Sequence, residues 1–486
     1  MDGTNRNQRA AVIRALLLIG GCALLLLFAD RVRDAFLWAA CILFAAEVVY
    51  AVRQFRTRIF FLCFLAAFFT FLLGGEILER YFDVFASSFS EKIDRHTDLC
   101  LLLSLAALFA GYVISERFGH RVRFLTPRSG TERGADFDGV YCRAVRTVSK
   151  CMFYATYAVW LLVLGKQVLF VLANGYLEYY LHYSSGLPQL LHTIAELTPV
   201  VFFVFLAAMP SKKEARLPIV LYLVWCVLSL GTGRRLMFVQ GFLFVLAYLI
   251  LRNKVCSRGE VWLSKRMGIA VAIAAPFFLA GMYLFEYIRS DAYVGSASRF
   301  NPLLGFFARQ GISVNVIKYA ERFKSGLNPK ATYSFYNMTK FLQTNRLNRY
   351  VFHLDFGYDS GGQTVENALH SVSLANYVSY KVSPRDYLRG MGMGSCYIAE
   401  LYVDFGYAGV VVGNFVYGYL LHTLYEYAVN RRSVWLTALG FFVFDLLVRA
   451  NRSTFDAFLA EPLYVTFWGT LLFLHLVARQ YAVNRK

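Results

Sequence analysis

Charged residues are scarce in this chain of 486 residues: only 17% are Asp, Glu, Lys or Arg, whereas 58% are hydrophobic. Soluble domains rarely exceed about half apolar residues, and here the excess is gathered in long runs. A transmembrane helix needs about 20 predominantly apolar residues to cross the bilayer core. Many segments reach that length, so the composition excludes a soluble globular protein and predicts an all-α polytopic membrane protein.

Metal-ligating patterns are also missing. The chain holds nine cysteines and eight histidines, and none are grouped with the spacing of a zinc site. Most of the cysteines fall in apolar runs or in predicted cytoplasmic loops, which argues against a disulfide framework. The sequence therefore predicts neither a metal site nor a cofactor.

Twelve apolar segments are predicted to span the membrane. They lie at about 11–29, 34–52, 58–78, 98–116, 150–173, 189–209, 217–232, 235–251, 267–288, 395–424, 433–448 and 460–480. The first run ends in Asp-Arg and has no small-residue cleavage site, which favours a span over a removable signal peptide. We expect every span to be helical, because unpaired backbone groups are too costly in lipid.

Acidic residues are too few to balance the basic ones, and the formal net charge is +19. When the N-terminus is placed in the cytoplasm, Lys and Arg are concentrated in the cytoplasmic loops, as the positive-inside bias requires. The most basic of these loops is 117–149. The alternation predicts that both termini are cytoplasmic, and it accounts for the positive charge without a nucleic-acid partner.

The spacing of the spans divides the chain into three regions. Residues 1–288 hold the first nine spans and the basic loop, and residues 395–486 hold the last three. Residues 289–394 form a long loop on the predicted extracytoplasmic side, and within it 301–324 and 364–380 have the pattern of short amphipathic helices. Loops of this length are usually functional or disordered, and we expect this one to be ordered and to contribute to a site.

Arginines stand at two predicted outer span ends. Arg234 and Arg235 share a tight turn after the seventh span, and Arg449 and Arg452 close the eleventh. Arg binds phosphate through a permanently charged, bidentate fork, so these side chains are candidates to bind a lipid-linked pyrophosphate. The alternative is structural, since such arginines also anchor helix ends at the membrane boundary, and Asp445 is spaced for an i,i+4 pair with Arg449.

A glycine-rich stretch opens the tenth predicted span. Gly392 and Gly394 allow close approach of the backbone to another group, and such a turn before a helix can present N–H groups to an anion. Glu400 and Asp404 follow on one helical face, at a depth where ionisable groups are costly and usually functional. They either support a site or pair with Arg449 or Arg452 to hold the bundle together.

The long loop supplies further candidates. Arg289 follows the ninth span directly, and Arg309 lies on a predicted loop helix. His370 is a candidate general base, because imidazole exchanges protons near neutral pH, and Glu366 lies one turn before it. Most single histidines have no catalytic role, so the pattern alone leaves this assignment open.

Two stretches resemble the Wzy family of O-antigen-type repeat-unit polymerases. The first comprises Gly392-Met393-Gly394-Ser395, Ala399-Glu400-Leu401-Tyr402 and Asp404-Phe405-Gly406-Tyr407-Ala408-Gly409. The second is the turn Thr232-Gly233-Arg234-Arg235, which is similar to the family's Gly/Ser-Arg turn. A Gly often follows the family's Arg, whereas a second Arg stands here, so either arginine is the match. About twelve spans with one large late loop fit the same family.

The resemblance implies a GT-C-like membrane enzyme that uses no metal. A growing glycan on undecaprenyl pyrophosphate would be transferred onto a lipid-linked repeat unit, at the outer face of the bacterial cytoplasmic membrane. The lipid-linked oligosaccharide is therefore both donor and acceptor, membrane lipids surround it, and a chain-length regulator is a candidate protein partner.

The resemblance also implies roles for individual residues. Arg234, Arg235 and Arg309 would hold the donor pyrophosphate, and Arg289 or Arg449 would bind that of the second lipid, with Arg452 as a further pyrophosphate-binding candidate. His370, or otherwise Glu366, would accept the proton of the attacking hydroxyl. Support of the site would come from Gly392, Gly394, Glu400, Tyr402 and Asp404. The related O-antigen ligases share the donor and are one alternative. A twelve-helix transporter or flippase of lipid-linked sugars is another, although the two halves of the chain look unlike each other.

Overall fold

The computed structural model describes most of the chain. It covers residues 34–82, 89–118, 139–175, 178–179, 182–233, 235–255, 260–289, 301–358, 362–430, 433–460 and 462–484, with the backbone alone at 235, 272, 281–289 and 430. Over these ranges the chain forms α-helices and short 3₁₀ and π turns, with no β-strand. The described part of the protein is therefore all-α, as the composition predicts.

Eight described helices are long and apolar enough to cross a membrane. With helices numbered in chain order, they are α1 (Ala35–Arg53), α2 (Ile59–Phe82), α3 (Glu91–Phe118), α4 (Val140–Asn174), α5 (Gln189–Ala207), α6 (Lys212–Ser229), α7 (Arg235–Val255) and α16 (Val434–Arg449). Each coincides with a predicted span. The protein is thus a polytopic helical membrane protein.

Three more helices lie where spans are predicted but are not among those eight. They are α8 (Lys265–Arg289), α15 (Tyr397–Asn430) and α17 (Val465–Val483). The first predicted span, 11–29, lies outside the described residues. The total of twelve spans and the GT-C-like arrangement therefore stay predictions.

Six short helices lie in the described part of the long loop between α8 and α15. They are α9 (Pro302–Gln310), α10 (Asn315–Arg322), α11 (Tyr336–Thr344), α12 (Val365–His370), α13 (Leu374–Val382) and α14 (Pro384–Leu388). Helices thus lie in both stretches where amphipathic helices are predicted. The loop packs on one end of the bundle, which we term the loop end.

The loop is docked by a close backbone contact. At Gly75 in α2, a Cβ atom would overlap the backbone of Gly311, and a Cβ at Gly311 would overlap Gly75 in turn. The α2 helix carries a π turn at Phe69–Leu73 just before this point. Only glycine permits so close an approach, so the contact fixes the end of α9 against the bundle.

The tenth predicted span is wrong as a single crossing. Gly406 has φ +63° and ψ −157°, a conformation that breaks the helix and that glycine alone adopts readily. It divides α15 into a short arm, 397–405, and a long arm, 407–430. The helical periodicity of the sequence continues across Gly406 and does not predict that the chain turns back there.

The short arm folds back along the long arm. The Tyr397 hydroxyl donates a hydrogen bond of 2.6 Å to Oδ1 of Asn414, and the rings of Tyr397 and Tyr417 stack at 5.1 Å. Leu401 packs on Gly413 of the long arm. The segment 397–430 is therefore a helical hairpin, the α15 hairpin, whose turn lies at the loop end.

Small residues bring the long arm against α3. A Cβ at Gly418 would overlap the carbonyl oxygen of Leu108, and one at Gly111 would overlap that of Phe415. Helices in membranes associate by such close packing of small residues. The contact holds the α15 hairpin in place.

Gly418→Ala is expected to lower the free energy of unfolding by about 1–3 kcal/mol, because an added methyl group in a packed interface forces backbone movement. Gly469 in α17 is the matched control, since a Cβ there meets nothing within 4 Å. Thermal unfolding in detergent measures both variants. Equal melting temperatures for the two variants would contradict the described α3 contact.

Candidate active site

Two elements that carry predicted arginines, α7 and α9, meet around the end of α16. Residues 449–456 leave that helix as a 3₁₀ turn followed by a second one. Side chains from α7, α9 and the α15 hairpin all contact this segment. The segment therefore forms the centre of the candidate site.

Arg449 is held by a glutamine of α7. Its Nε donates to Oε1 of Gln240 at 3.3 Å, and the Gln240 amide in turn donates to the backbone oxygen and to Oδ2 of Asp445, at 2.8 and 2.5 Å. Gln240 is buried. Its side chain lies between the two members of the predicted Asp445–Arg449 pair and connects both residues to α7 by hydrogen bonds.

Arg452 is held by a glutamine of the loop. Its Nη1 donates to Oε1 of Gln310 at 2.7 Å, and its guanidinium lies 6.0 Å from the ring of Phe71. Arg309 precedes Gln310, is half-buried, and makes no ion pair or hydrogen bond among the residues that the structure describes. The contact therefore places Gln310 of α9, the neighbour of Arg309, against the 3₁₀ turn that follows α16.

Glu400 does not pair with these arginines. Its Oε1 accepts from Ser395 Oγ at 2.5 Å, and its Oε2 accepts from the backbone N–H of Phe455 at 2.8 Å. Gly394 lies nearby with φ +80°, close to the carbonyl oxygen of Arg452. Glu400 thus joins the glycine-rich stretch to the 449–456 segment through neutral donors, which rules out the predicted pairing for this residue.

Asp404 is also satisfied by neutral donors. Its two carboxylate oxygens accept from the backbone N–H groups of Tyr333 and Ser334, at 3.1 and 2.7 Å. It therefore caps the start of a loop turn with its carboxylate. The predicted alternative, an ion pair with Arg449 or Arg452, is wrong for Asp404 as well.

Asp456 repeats this arrangement and was not singled out from the sequence. Its oxygens accept from Nδ2 of Asn337 and from the backbone N–H of Met338, both at 2.8 Å. Burial raises the pKa of Asp456, while the N–H donors act in the opposite direction. The carboxylates of Glu400, Asp404 and Asp456 thus anchor loop and turn backbone, whereas the described contacts of Arg449 and Arg452 include the neutral amides of Gln240 and Gln310.

Tyr402 belongs to a separate cluster at the turn of the hairpin. Lys324 Nζ donates to its hydroxyl at 3.2 Å and lies 4.3 Å from its ring centroid. The ring of His96 lies 4.2 Å from that of Tyr402, and His96 Nδ1 is 2.8 Å from the hydroxyl of Tyr407. This cluster connects α3, the loop and the α15 hairpin.

The candidate proton acceptors stand apart from the arginines. His370 and Glu366 are both exposed on α12. Asn328 Nδ2 donates to the carbonyl oxygen of His370 at 3.2 Å, which fixes the backbone and leaves the imidazole open. Among the described contacts none joins His370 or Glu366 to an arginine of the site. Gly392 lies beside Ser379 of α13, near this same side of the loop.

Three predicted residues cannot be placed by their side chains. Arg234 lies outside the described residues, and the structure describes Arg235 and Arg289 by backbone alone. Gly233, with φ +78°, ends the 3₁₀ turn that precedes the arginine pair. Gln240 contacts Arg449 and lies only five residues beyond Arg235 on α7, so the start of α7 lies at the loop end of the bundle.

Sequence reasoning also missed an ion network beneath the loop. It joins Arg80 and Lys318 to Asp34, Glu76, Glu79, Asp94 and Asp98. Lys318 is 1% exposed, and its Nζ lies 2.9 Å from Glu76, 3.2 Å from Glu79 and 3.2 Å from Asp94. Burial lowers the pKa of Lys318, but these carboxylates outweigh it and raise that pKa above its ordinary value. The network fixes α10 to α2 and α3.

Two of the missed residues carried a signal in the sequence. Gln240 is a polar side chain inside an apolar span, and Lys318 is a charge on an otherwise apolar helical face. Polar groups in such positions are usually paired and functional or structural. The signal marks the residue, but it does not identify the partner.

Over the described ranges there is no group of His, Cys, Asp and Glu side chains that could hold a metal ion.

Comparison with known proteins identifies the family. No curated protein and no solved structure matches the chain. A family model described as O-antigen polysaccharide polymerase Wzy matches residues 11–485, nearly the whole length. This extent goes far beyond the two short stretches that carry the resemblance in the sequence. The chain belongs to the O-antigen polysaccharide polymerase Wzy family.

Proposed function

We propose that this polysaccharide polymerase transfers a growing glycan from undecaprenyl pyrophosphate to a lipid-linked repeat unit at the outer face of the bacterial cytoplasmic membrane. In the reaction a hydroxyl oxygen of the acceptor sugar attacks the anomeric carbon of the donor. The bond from that carbon to the pyrophosphate oxygen breaks, the hydroxyl proton passes to a base, and undecaprenyl pyrophosphate leaves. The loop end of the bundle is the outer end in this proposal, with both termini in the cytoplasm.

The observation that carries the proposal is the set of arginines around residues 449–456. Gln240 and Gln310 orient Arg449 and Arg452 through neutral amide oxygens, and these two contacts do not themselves neutralise the guanidinium charges. Arg309 lies beside Gln310. Preorganised cations aimed at developing charge usually accelerate such a transfer more than any other single effect, and a pyrophosphate leaving group develops charge at its bridging oxygen.

The donor and acceptor lipids are divided between two arginine sets in this proposal. Arg234, Arg235 and Arg309 bind the donor pyrophosphate, and Arg449 or Arg289 binds the second one. Arg452 joins the donor set, because it is hydrogen-bonded to Gln310, the neighbour of Arg309. The division follows chain order and the family resemblance. It is tested by comparing donor and acceptor KM values in Arg309→Ala and Arg449→Ala.

An apolar groove supports a lipid substrate here. It is about 260 Å³ in volume and is lined by Val220, Leu223, Val224, Val227 and Leu228 of α6. These residues form one stripe of α6, which ends just before the arginine turn. A polyprenyl tail along the stripe would place its pyrophosphate at the arginines.

His370→Ala is expected to lower the rate of glycan transfer by about 10²–10⁴-fold if His370 is the general base. The imidazole is exposed on α12 and is therefore accessible to an acceptor sugar. Single-turnover rates with purified protein measure the effect, and Glu366→Gln is the matched variant on the same helix. A normal rate in His370→Ala with a lost rate in Glu366→Gln would assign the role to Glu366.

The bond-forming reaction itself is tested by its stoichiometry. Each repeat unit added should release one undecaprenyl pyrophosphate, measured as phosphate after a phosphatase step. Release of lipid pyrophosphate without glycan growth would indicate hydrolysis and would contradict the polymerase proposal. Growth on a different acceptor, lipid A core, would indicate the ligase instead.

A further inference from the structure

The loop carries a turn with strongly exposed apolar side chains. Between residues 346 and 354, Leu347, Tyr350, Val351, Phe352 and Leu354 are each 55–71% exposed. Large apolar groups gathered in this way mark an interaction surface on a folded protein. The candidate active site and the proposed reaction make no use of them.

The exposure is built into the fold of this 346–354 turn. Asn348 is buried and holds the turn closed: its Nδ2 donates to the carbonyl oxygen of Leu354 at 2.8 Å, and its Oδ1 accepts from the Leu354 N–H at 2.9 Å. The His353 N–H also donates to the Asn348 carbonyl oxygen at 2.7 Å. Gln343 accepts from the Phe356 N–H at 2.6 Å. The apolar side chains are thus presented outward by an ordered scaffold.

The turn lies next to the lipid-facing side of the bundle. Phe341, just before it on α11, packs edge-on against Tyr464 at 5.8 Å. Tyr464 immediately precedes α17. Val465 and Trp468, at that end of α17, are among its exposed apolar residues, and the Trp468 indole donates to Pro462. An aromatic at a helix end with its polar edge satisfied is typical of the membrane–water boundary.

The charges of the turn complement a lipid surface. Arg346 and Arg349 are exposed, and no acidic residue occurs between 346 and 354. Apolar side chains beside basic ones are the pattern of segments that lie in the membrane interface. A protein partner would leave the continuity with α17 unexplained.

We propose that the 346–354 turn inserts its apolar side chains into the membrane leaflet at the loop end, with Arg346 and Arg349 on anionic headgroups. The turn ties the long loop to the bilayer beside α17. The loop is therefore held by the membrane as well as by the Gly75–Gly311 contact.

A photocrosslinker placed in the turn tests the proposal. Full-length protein carrying benzoylphenylalanine at Phe352 is reconstituted into vesicles of phosphatidylcholine and phosphatidylglycerol, irradiated and analysed by mass. We expect phospholipid adducts at Phe352, and at Tyr350 as a second position should the first variant fail to fold. Val365 is the control, because it is exposed and apolar but lies on α12, which packs on α13.

The charge part of the proposal has its own readout. Arg346→Glu and Arg349→Glu should each lower the ratio of phosphatidylglycerol to phosphatidylcholine adducts about fivefold. Phospholipid adducts that are no more frequent at 350 and 352 than at 365 would overturn the proposal. So would crosslinks to another protein in native membranes in place of lipid.

Discussion

Arg452→Ala is expected to lower the rate of glycan transfer by about 10²–10³-fold, the usual effect of removing one preorganised donor from a developing negative charge. The guanidinium is positioned by Gln310 on the loop and lies on the same turn as Arg449. Its loss removes one positive charge from the proposed pyrophosphate site. Single-turnover transfer with a lipid-linked repeat unit is the measurement.

Two further variants separate charge from structure. Arg452→Lys should recover part of the rate, because a lysine keeps the charge without the bidentate fork. Arg385→Ala, an exposed arginine on α14, should leave the rate unchanged. A folded Arg452→Ala protein with a normal rate would remove this arginine from the site.

Lys318→Met is expected to lower the free energy of unfolding by about 3–5 kcal/mol, because it removes one partner of a buried ion network. The carboxylates of Glu76, Glu79 and Asp94 would face one another without the ammonium between them. The loop should then separate from α2 and α3 before the rest of the bundle unfolds. Thermal unfolding in detergent and limited proteolysis of the loop are the measurements.

Lys330→Met is the control for charge removal on the same loop, since Lys330 is exposed. It should leave the melting temperature within about 1 °C, as exposed substitutions usually do little. If Lys318→Met melts together with Lys330→Met, the network contributes no net stability and the loop is held by its other contacts.

The helices were predictable because their cause is local. A run of apolar residues long enough to cross lipid must be helical, and each of the eight long apolar helices coincides with a predicted span. The family resemblance was also visible from the stretch around Gly392–Gly409, and it is confirmed over nearly the whole chain. These inferences need no knowledge of which segments touch.

The pairing of side chains was not predictable because it is non-local. Glu400 and Asp404 share a helical face, so an arginine partner was a reasonable alternative, but the backbone N–H groups of Phe455, Tyr333 and Ser334 occupy their carboxylates instead. The same holds for the contact of Arg452 with Gln310, a loop residue 142 positions earlier. Neither the hydropathy pattern nor a motif specifies such contacts.

The hairpin at Gly406 shows why a helical pattern can mislead. Its two arms are each helical and apolar, so the sequence on both sides of Gly406 continues a single span. One glycine with positive φ reverses the chain. The reversal moves Glu400 and Asp404 to the short arm, where Asp404 anchors the long loop and Glu400 anchors the 449–456 segment.

The proposed polymerase activity, with Arg452 in the turn after α16 stabilising the leaving pyrophosphate, is tested most directly by a single-substrate assay. Purified protein in nanodiscs receives an undecaprenyl-pyrophosphate-linked repeat unit alone, and products are separated by size. We expect a ladder of lengthened glycans that is lost in Arg452→Ala and kept in Arg385→Ala. A labelled substrate that crosses the bilayer of a proteoliposome, with no ladder from folded protein, would contradict the polymerase assignment and indicate a transporter.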